Sequence, residues 1–128
     1  MEIPFRSLYT EIGGQETINK LVEAFYPRVY DDPDLAPLFE GDMEEIKRKQ
    51  RMFLPQFLGG PALYSAEFGP PAMRERHLPF EVTSKRAKAW LRCMKEAFHE
   101  IGLDENPAGL AFYDRLTQVA GIMVNSSD

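Results

Sequence analysis

Apolar residues along the chain repeat at helical spacing, and strand alternation is nowhere sustained. Between Gly13-Gly14 and the turn at Asp32-Pro33, the residues Ile18, Leu21, Val22, Phe25 and Val29 fall on one helical face. Pro27 lies inside that run and removes a backbone donor, so a kink is expected close to Tyr26. The stretch DPDLAPLF, residues 32 to 39, is too proline-rich for a regular helix and reads as turns. Asp42 with Glu45 three residues later resembles a capping pair, opening a helix whose stripe is Met43, Ile46, Gln50, Phe53 and Phe57. Gly59-Gly60 ends it, and GGPALYSAEFGPP, residues 59 to 71, has no period and reads as a functional or mobile loop.

A short helical segment, Ala72 to Leu78, is expected before Pro79. Thr83 or Ser84 then caps the strongest helix, with Ala87, Trp90, Leu91, Met94, Ala97, Phe98 and Ile101 on one face and Gly102 as its stop. Asn106-Pro107 starts a last helix with Leu110, Tyr113, Leu116, Ala120 and Met123 in register. The pattern predicts an all-α domain of four substantial helices, a short helix carrying His77, and a stub near the N-terminus.

Length adds that 128 residues make one domain, taken as 1–128. Charge removes a class of partner: Lys and Arg number 15 against 20 Asp and Glu, net −5, with no basic stripe, so no nucleic acid is expected. No apolar stretch is long enough to span a bilayer, which argues against a membrane partner. The single cysteine, Cys93, allows no internal disulfide and fits a reducing compartment, and MEIPFRSLYTEIGG lacks the form of a secretory signal, so the cytoplasm is expected. Nine Phe, five Tyr, six Met and one Trp could fill a plain core or line a pocket for a flat apolar ligand.

Several side chains interrupt this pattern. Gln50 sits in the apolar stripe of its helix, where an unpartnered amide costs roughly 1–3 kcal/mol; it is either a core glutamine bonded to backbone or a donor facing a cavity. Trp90 is likewise plain core or an indole donor seeking an acceptor, and Tyr26 brings a hydroxyl inward beside its stripe. His77, in RERHLPF, is one of two histidines and reads either as a surface or capping residue or as a ligand. A lone imidazole is too little for structural zinc but enough for haem iron, whose porphyrin supplies four nitrogens. Arg74, Arg76, Lys49 and Tyr64 could meet haem propionates or could be plain solvated residues. His99 has no recognisable partner and reads as surface; Cys93 reads as a small apolar residue.

Four strings then make a specific resemblance: FYPRVYDDPDLAPLF, KRKQRMFLPQFLGGPALY, RERHLPF and AWLRCMKEAF. In order, from Tyr9 to about Met123, the chain resembles a truncated haemoglobin of group II. The resemblance implies a globin-like 2-on-2 helical sandwich around haem b, with His77 as the iron ligand. It implies distal ligand contacts from Tyr26, Gln50 and Trp90, and a haem pocket that includes Phe39, Ile46, Phe53, Leu54, Trp90 and Met94. Lys49, Tyr64 and Arg76 become the propionate contacts. Ile46 departs from the family's small or hydroxyl-bearing residue and is expected to narrow a side entrance.

The implied function is reversible binding of dioxygen and other diatomic gases with slow release, extending to nitric oxide or peroxide detoxification if a reductase restores the iron. The alternative is a peroxidase-type redox enzyme, against which stands the lack of a recognisable distal histidine or arginine. A haem-free interaction module is the third class. The chain is expected to be a monomer or homodimer; it lacks the heptad seam of a coiled coil.

Overall fold

A computed structural model of the protein describes residues 7–39, 41–70 and 82–126, and among them all regular structure is helical. The N-terminal stub is α1 (Leu8–Glu11), capped by the Ser7 hydroxyl, which accepts from the Thr10 amide. The first long helix, α2 (Gly14–Asp31), runs unbroken through Pro27, whose ring lies on the exposed side. Its buried residues are Ile18, Leu21, Val22, Ala24, Phe25, Tyr26 and Val29, the predicted stripe widened by two. The proline-rich turns follow, with a 3₁₀ turn at Ala36–Leu38.

Asp42 caps α3 (Met43–Phe57) by accepting from the Glu44 amide at 3.0 Å. Glu45 does not complete the expected reciprocal pair and instead binds the Arg48 guanidinium. The segment expected to be a loop holds a helix, α4 (Leu63–Phe68). Tertiary bonds account for it. The Gln56 side chain accepts from the Ser65 amide at 2.9 Å and donates to the Ser65 hydroxyl at 2.7 Å. Arg48 donates to Glu67, and the Tyr64 ring stands edge-on to Phe53 at 5.7 Å.

Thr83 caps α5 (Ser84–Glu100), accepting from the Arg86 amide at 3.1 Å. Gly102, at φ 75°, takes the left-handed conformation that ends it. After a 3₁₀ turn at Leu103–Glu105, Asn106 caps α6 (Pro107–Met123), with Pro107 at the first position. Leu116 and Ala120 of the face expected on α6 are buried and Tyr113 packs against the core, but Leu110 is 59% exposed, and Gly109 and Phe112 are buried as well. Counting about 100° per residue puts Leu110 roughly 120° round the helix from Leu116. Gly109 is required where α6 crosses the preceding turn, since a Cβ there would lie 2.0 Å from the Leu103 carbonyl oxygen. The expected helix at residues 72–78 lies outside the described residues.

The long helices form two pairs, α2 with α3 and α5 with α6, and α2 also packs on α5. Phe25, Phe98 and Phe112 are fully buried between them, each burial stabilising by roughly 1.5–3 kcal/mol. Ion pairs staple the layers. Lys47, buried on α3, donates to Glu23 of α2 at 3.1 Å and to Glu44 at 3.4 Å, and Arg51 reaches the other oxygen of Glu23 at 3.1 Å. Arg92 of α5 binds the buried carboxylate of Asp32 just after α2, and Arg28 of α2 reaches Glu96 and Glu100 of α5. His99, expected to stand alone on the surface, has Asp104 at 2.9 Å. No helix among the described residues is long and apolar enough to cross a membrane.

Candidate functional site

The two helix pairs do not close completely on one another. They leave a cavity in which the centre of a water molecule could range over about 160 Å³. One wall comes from α2 and α3 and the turn between them, through Leu21, Val22, Phe25, Tyr26, Leu35, Leu38, Phe39, Gln50, Phe53, Leu54 and Phe57. The other comes from α5, α6 and the residue before α5's cap, through Val82, Arg86, Ala87, Trp90, Met94, Leu116, Val119, Ala120 and Met123.

Seven of the expected site residues stand on these walls: Tyr26, Phe39, Gln50, Phe53, Leu54, Trp90 and Met94. Ile46 packs against the core one turn before Gln50 and does not line the cavity. Lys49 and Tyr64 each lie against Phe68 of α4: the Lys49 ammonium is 5.6 Å above the Phe68 ring, whose centroid is 4.9 Å from that of Tyr64. His77 and Arg76, with Arg74, lie outside the described residues. Phe25, Arg86, Val119 and Met123 were not anticipated. Phe25 and Met123 had been assigned to helix stripes, but a stripe shows that a residue is buried without showing which cavity it faces.

Three of the polar wall residues share one property. Tyr26, Gln50 and Trp90 each carry a hydrogen-bond donor, and none of the three bonds to a protein group among the described residues. Tyr26 is 4% exposed, with its ring edge-on to Phe25 at 4.9 Å and to Phe39 at 6.2 Å. Burial, with the neighbouring Tyr30 adding to it, raises its phenol well above the ordinary value, so the group keeps its proton and remains a donor. The Trp90 indole stands edge-on to Phe25 at 5.3 Å. Idle donors in an apolar surrounding are costly unless an acceptor enters. The donor set therefore fits a polar diatomic ligand, and the apolar walls fit a flat macrocycle that would carry it. Among the described residues no cluster of metal-binding side chains competes with that reading.

Comparison with known proteins agrees with the geometry. The bacterial-like globin family matches residues 7–125. The chain is 46% identical over 124 residues to the group 2 truncated hemoglobin YjbI of Bacillus subtilis, covering 97% of this chain and 92% of that one. Among solved structures, the group II truncated hemoglobin of Bacillus anthracis superposes with a TM-score of 0.92 at 43% identity, covering 99% of this chain and 96% of that one. The truncated oxygen-avid haemoglobin of Bacillus subtilis gives 0.89 at 47% identity, covering 94% and 100%. A cavity between two helix pairs with Tyr26, Gln50 and Trp90 on its walls, and a family match over nearly the whole length, lead to one conclusion: the chain belongs to the bacterial-like globins and is a truncated haemoglobin, a haem protein that binds diatomic ligands.

Proposed function

We propose that the protein holds haem b and retains dioxygen tightly, with Tyr26, Gln50 and Trp90 donating to the ligand. Haem supplies an iron centre to which a diatomic gas binds; the chain supplies the surroundings. His77 is the proposed iron ligand, resting on the sequence resemblance and on the sufficiency of one imidazole for haem. Phe39, Phe53, Leu54 and Met94 would pack on the macrocycle, Ile46 would border it, and Lys49, Tyr64 and Arg76 would face its carboxylates.

The observation that carries the proposal is the set of three donors on the cavity wall without protein partners among the described residues. Negative charge gathers on dioxygen when it binds, and donors already oriented in a dry cavity stabilise that charge more than water does. Tyr26 contributes as a neutral phenol, because its proton is held by burial. Each lost hydrogen bond is worth about 1–1.5 kcal/mol, or roughly a tenfold change in rate. The name of one similar protein, an oxygen-avid haemoglobin, points the same way.

Tight retention suits scavenging, sensing or the detoxification of nitric oxide or peroxide better than transport, and turnover would need a reductase. A cytoplasmic single-domain protein, monomeric or a homodimer, is the proposed setting. The test is the oxygen dissociation rate of the haem-loaded protein and of Trp90→Phe and Tyr26→Phe. Both substitutions are expected to speed release about tenfold each; an unchanged rate in both rejects the donor reading. His77→Ala is expected to lose the Soret position of a histidine-ligated haem.

A further inference from the structure

Tyr26 and Trp90 form no hydrogen bonds with the protein among the described residues, so no polar contact there sets the angle of the Trp90 indole or the Tyr26 phenol. Ring packing must do it. Phe25 is 1% exposed and meets both: its ring is edge-on to Tyr26 at 4.9 Å and 79°, and edge-on to Trp90 at 5.3 Å and 73°. These are ordinary T-shaped contacts, in which the edge of one ring faces the electron-rich face of the other. Phe25 is on α2 and Trp90 on α5, so this one side chain links donors carried by the two helix pairs.

We propose that Phe25 is a positioning residue for ligand retention, acting chiefly by orienting Trp90. It has no polar atom and cannot bond a gas itself. The proposal rests on the gas-binding reading above and extends it to a residue with no donor of its own. The two donors differ in their support. Tyr26 has a second ring partner, Phe39 at 6.2 Å and 70°, whereas Phe25 is the aromatic contact of Trp90 among the described residues. Loss of the Phe25 ring should therefore free Trp90 and leave Tyr26 largely held.

That asymmetry gives a test by double-mutant cycle on the haem-loaded protein. Phe25→Leu is expected to speed oxygen release about fivefold to tenfold, a change of the size of one misplaced hydrogen bond. In the Trp90→Phe background the same substitution should add less than about twofold, and in the Tyr26→Phe background it should keep most of its effect. The infrared stretch of bound carbon monoxide, which responds to donors near the ligand, should shift in Phe25→Leu in the same direction as in Trp90→Phe. A merely structural role would lower the melting temperature with release and stretch unchanged.

The proposal is overturned if Phe25→Leu releases oxygen at the wild-type rate, or if its full factor persists without Trp90. If Phe25→Leu takes up no haem, Phe25→Met, closer in volume, is read by the same criteria. Failure of the underlying reading is distinguishable: there, the wild type shows no Soret band, or Trp90→Phe and Tyr26→Phe leave release unchanged, and the Phe25 proposal falls with it.

Discussion

Glu23→Gln tests what holds α2 against α3 close to the donors in sequence. Glu23 lies one turn before Tyr26, and Lys47 and Arg51 flank Gln50, so the ion group ties α2 to α3 within a turn of two of the three donors. The substitution keeps the shape of the side chain and removes its charge, leaving Lys47 with Glu44 at 3.4 Å and Arg51 without its carboxylate. Breaking a fully buried pair costs about 3–5 kcal/mol. The Glu23 side chain is 56% exposed, however, so water compensates part of the loss, and about 1–2 kcal/mol is the appropriate figure. For a domain of this size that lowers the melting temperature by roughly 4–8 °C.

The pH dependence of that difference is also determined. Hydrogen bonding from Lys47, ahead of the attraction of Arg51, holds the Glu23 carboxyl below its ordinary 4.5. A depressed carboxyl contributes stability that is present above its unfolded value and lost as pH falls through the folded one. Burial pulls the Lys47 ammonium down, but its bonds to Glu23 and Glu44 outweigh this and leave it above the ordinary 10.5. A raised lysine contributes stability that is present below its unfolded value and lost as pH rises through the folded one. The gap between wild type and Glu23→Gln should thus be flat from about pH 5 to pH 10 and narrow on both sides. Thermal unfolding of the haem-loaded protein followed by circular dichroism measures it. Equal melting temperatures at pH 7, or a gap that widens towards pH 3, would refute the reasoning.

Phe112→Ala should be far more damaging, because its ring is fully buried against Phe98 at 5.1 Å and Phe57 at 6.5 Å; a loss of about 3–5 kcal/mol is expected in denaturant titration. Cys93 is 3% exposed, and burial first, then the charge of Asp32, raises its thiol above the ordinary value. It should react with a thiol-specific reagent at a negligible rate at pH 8 in the folded protein and fully in denaturant; prompt reaction in the native state would contradict its placement.

Much of this fold was legible because its long helices carry wide apolar faces. In α2 the predicted stripe is buried in full, and Pro27 left the helix unbroken where tertiary packing outweighed the lost backbone bond. The places where reading failed share a cause. Six residues of α4 are too few to show a period, and what holds them, Gln56 on Ser65 and Arg48 on Glu67, is contributed by another helix. At the start of α6 the expected face fails because Leu110 is apolar yet outside, while Gly109, with no hydrophobic signature, is inside for steric reasons. Hydropathy cannot rank a glycine whose value is the absence of a side chain.

The candidate site divides along the same line. Gln50, Trp90 and Tyr26 could be singled out since a polar group in or beside an apolar stripe demands either a partner or a ligand, and all three line the cavity with no protein partner among the described residues. Lys47 is the counterexample, a charged residue buried next to that stripe and yet unannounced, because its partner Glu23 lies 24 positions away and only folding brings the two together. A polar group set among apolar ones thus has opposite meanings in the two cases. Lys47 is satisfied by carboxylates and its role ends with holding two helices in place. The three donors have no protein partner among the described residues, a cost that the proposed ligand would offset by completing them from outside.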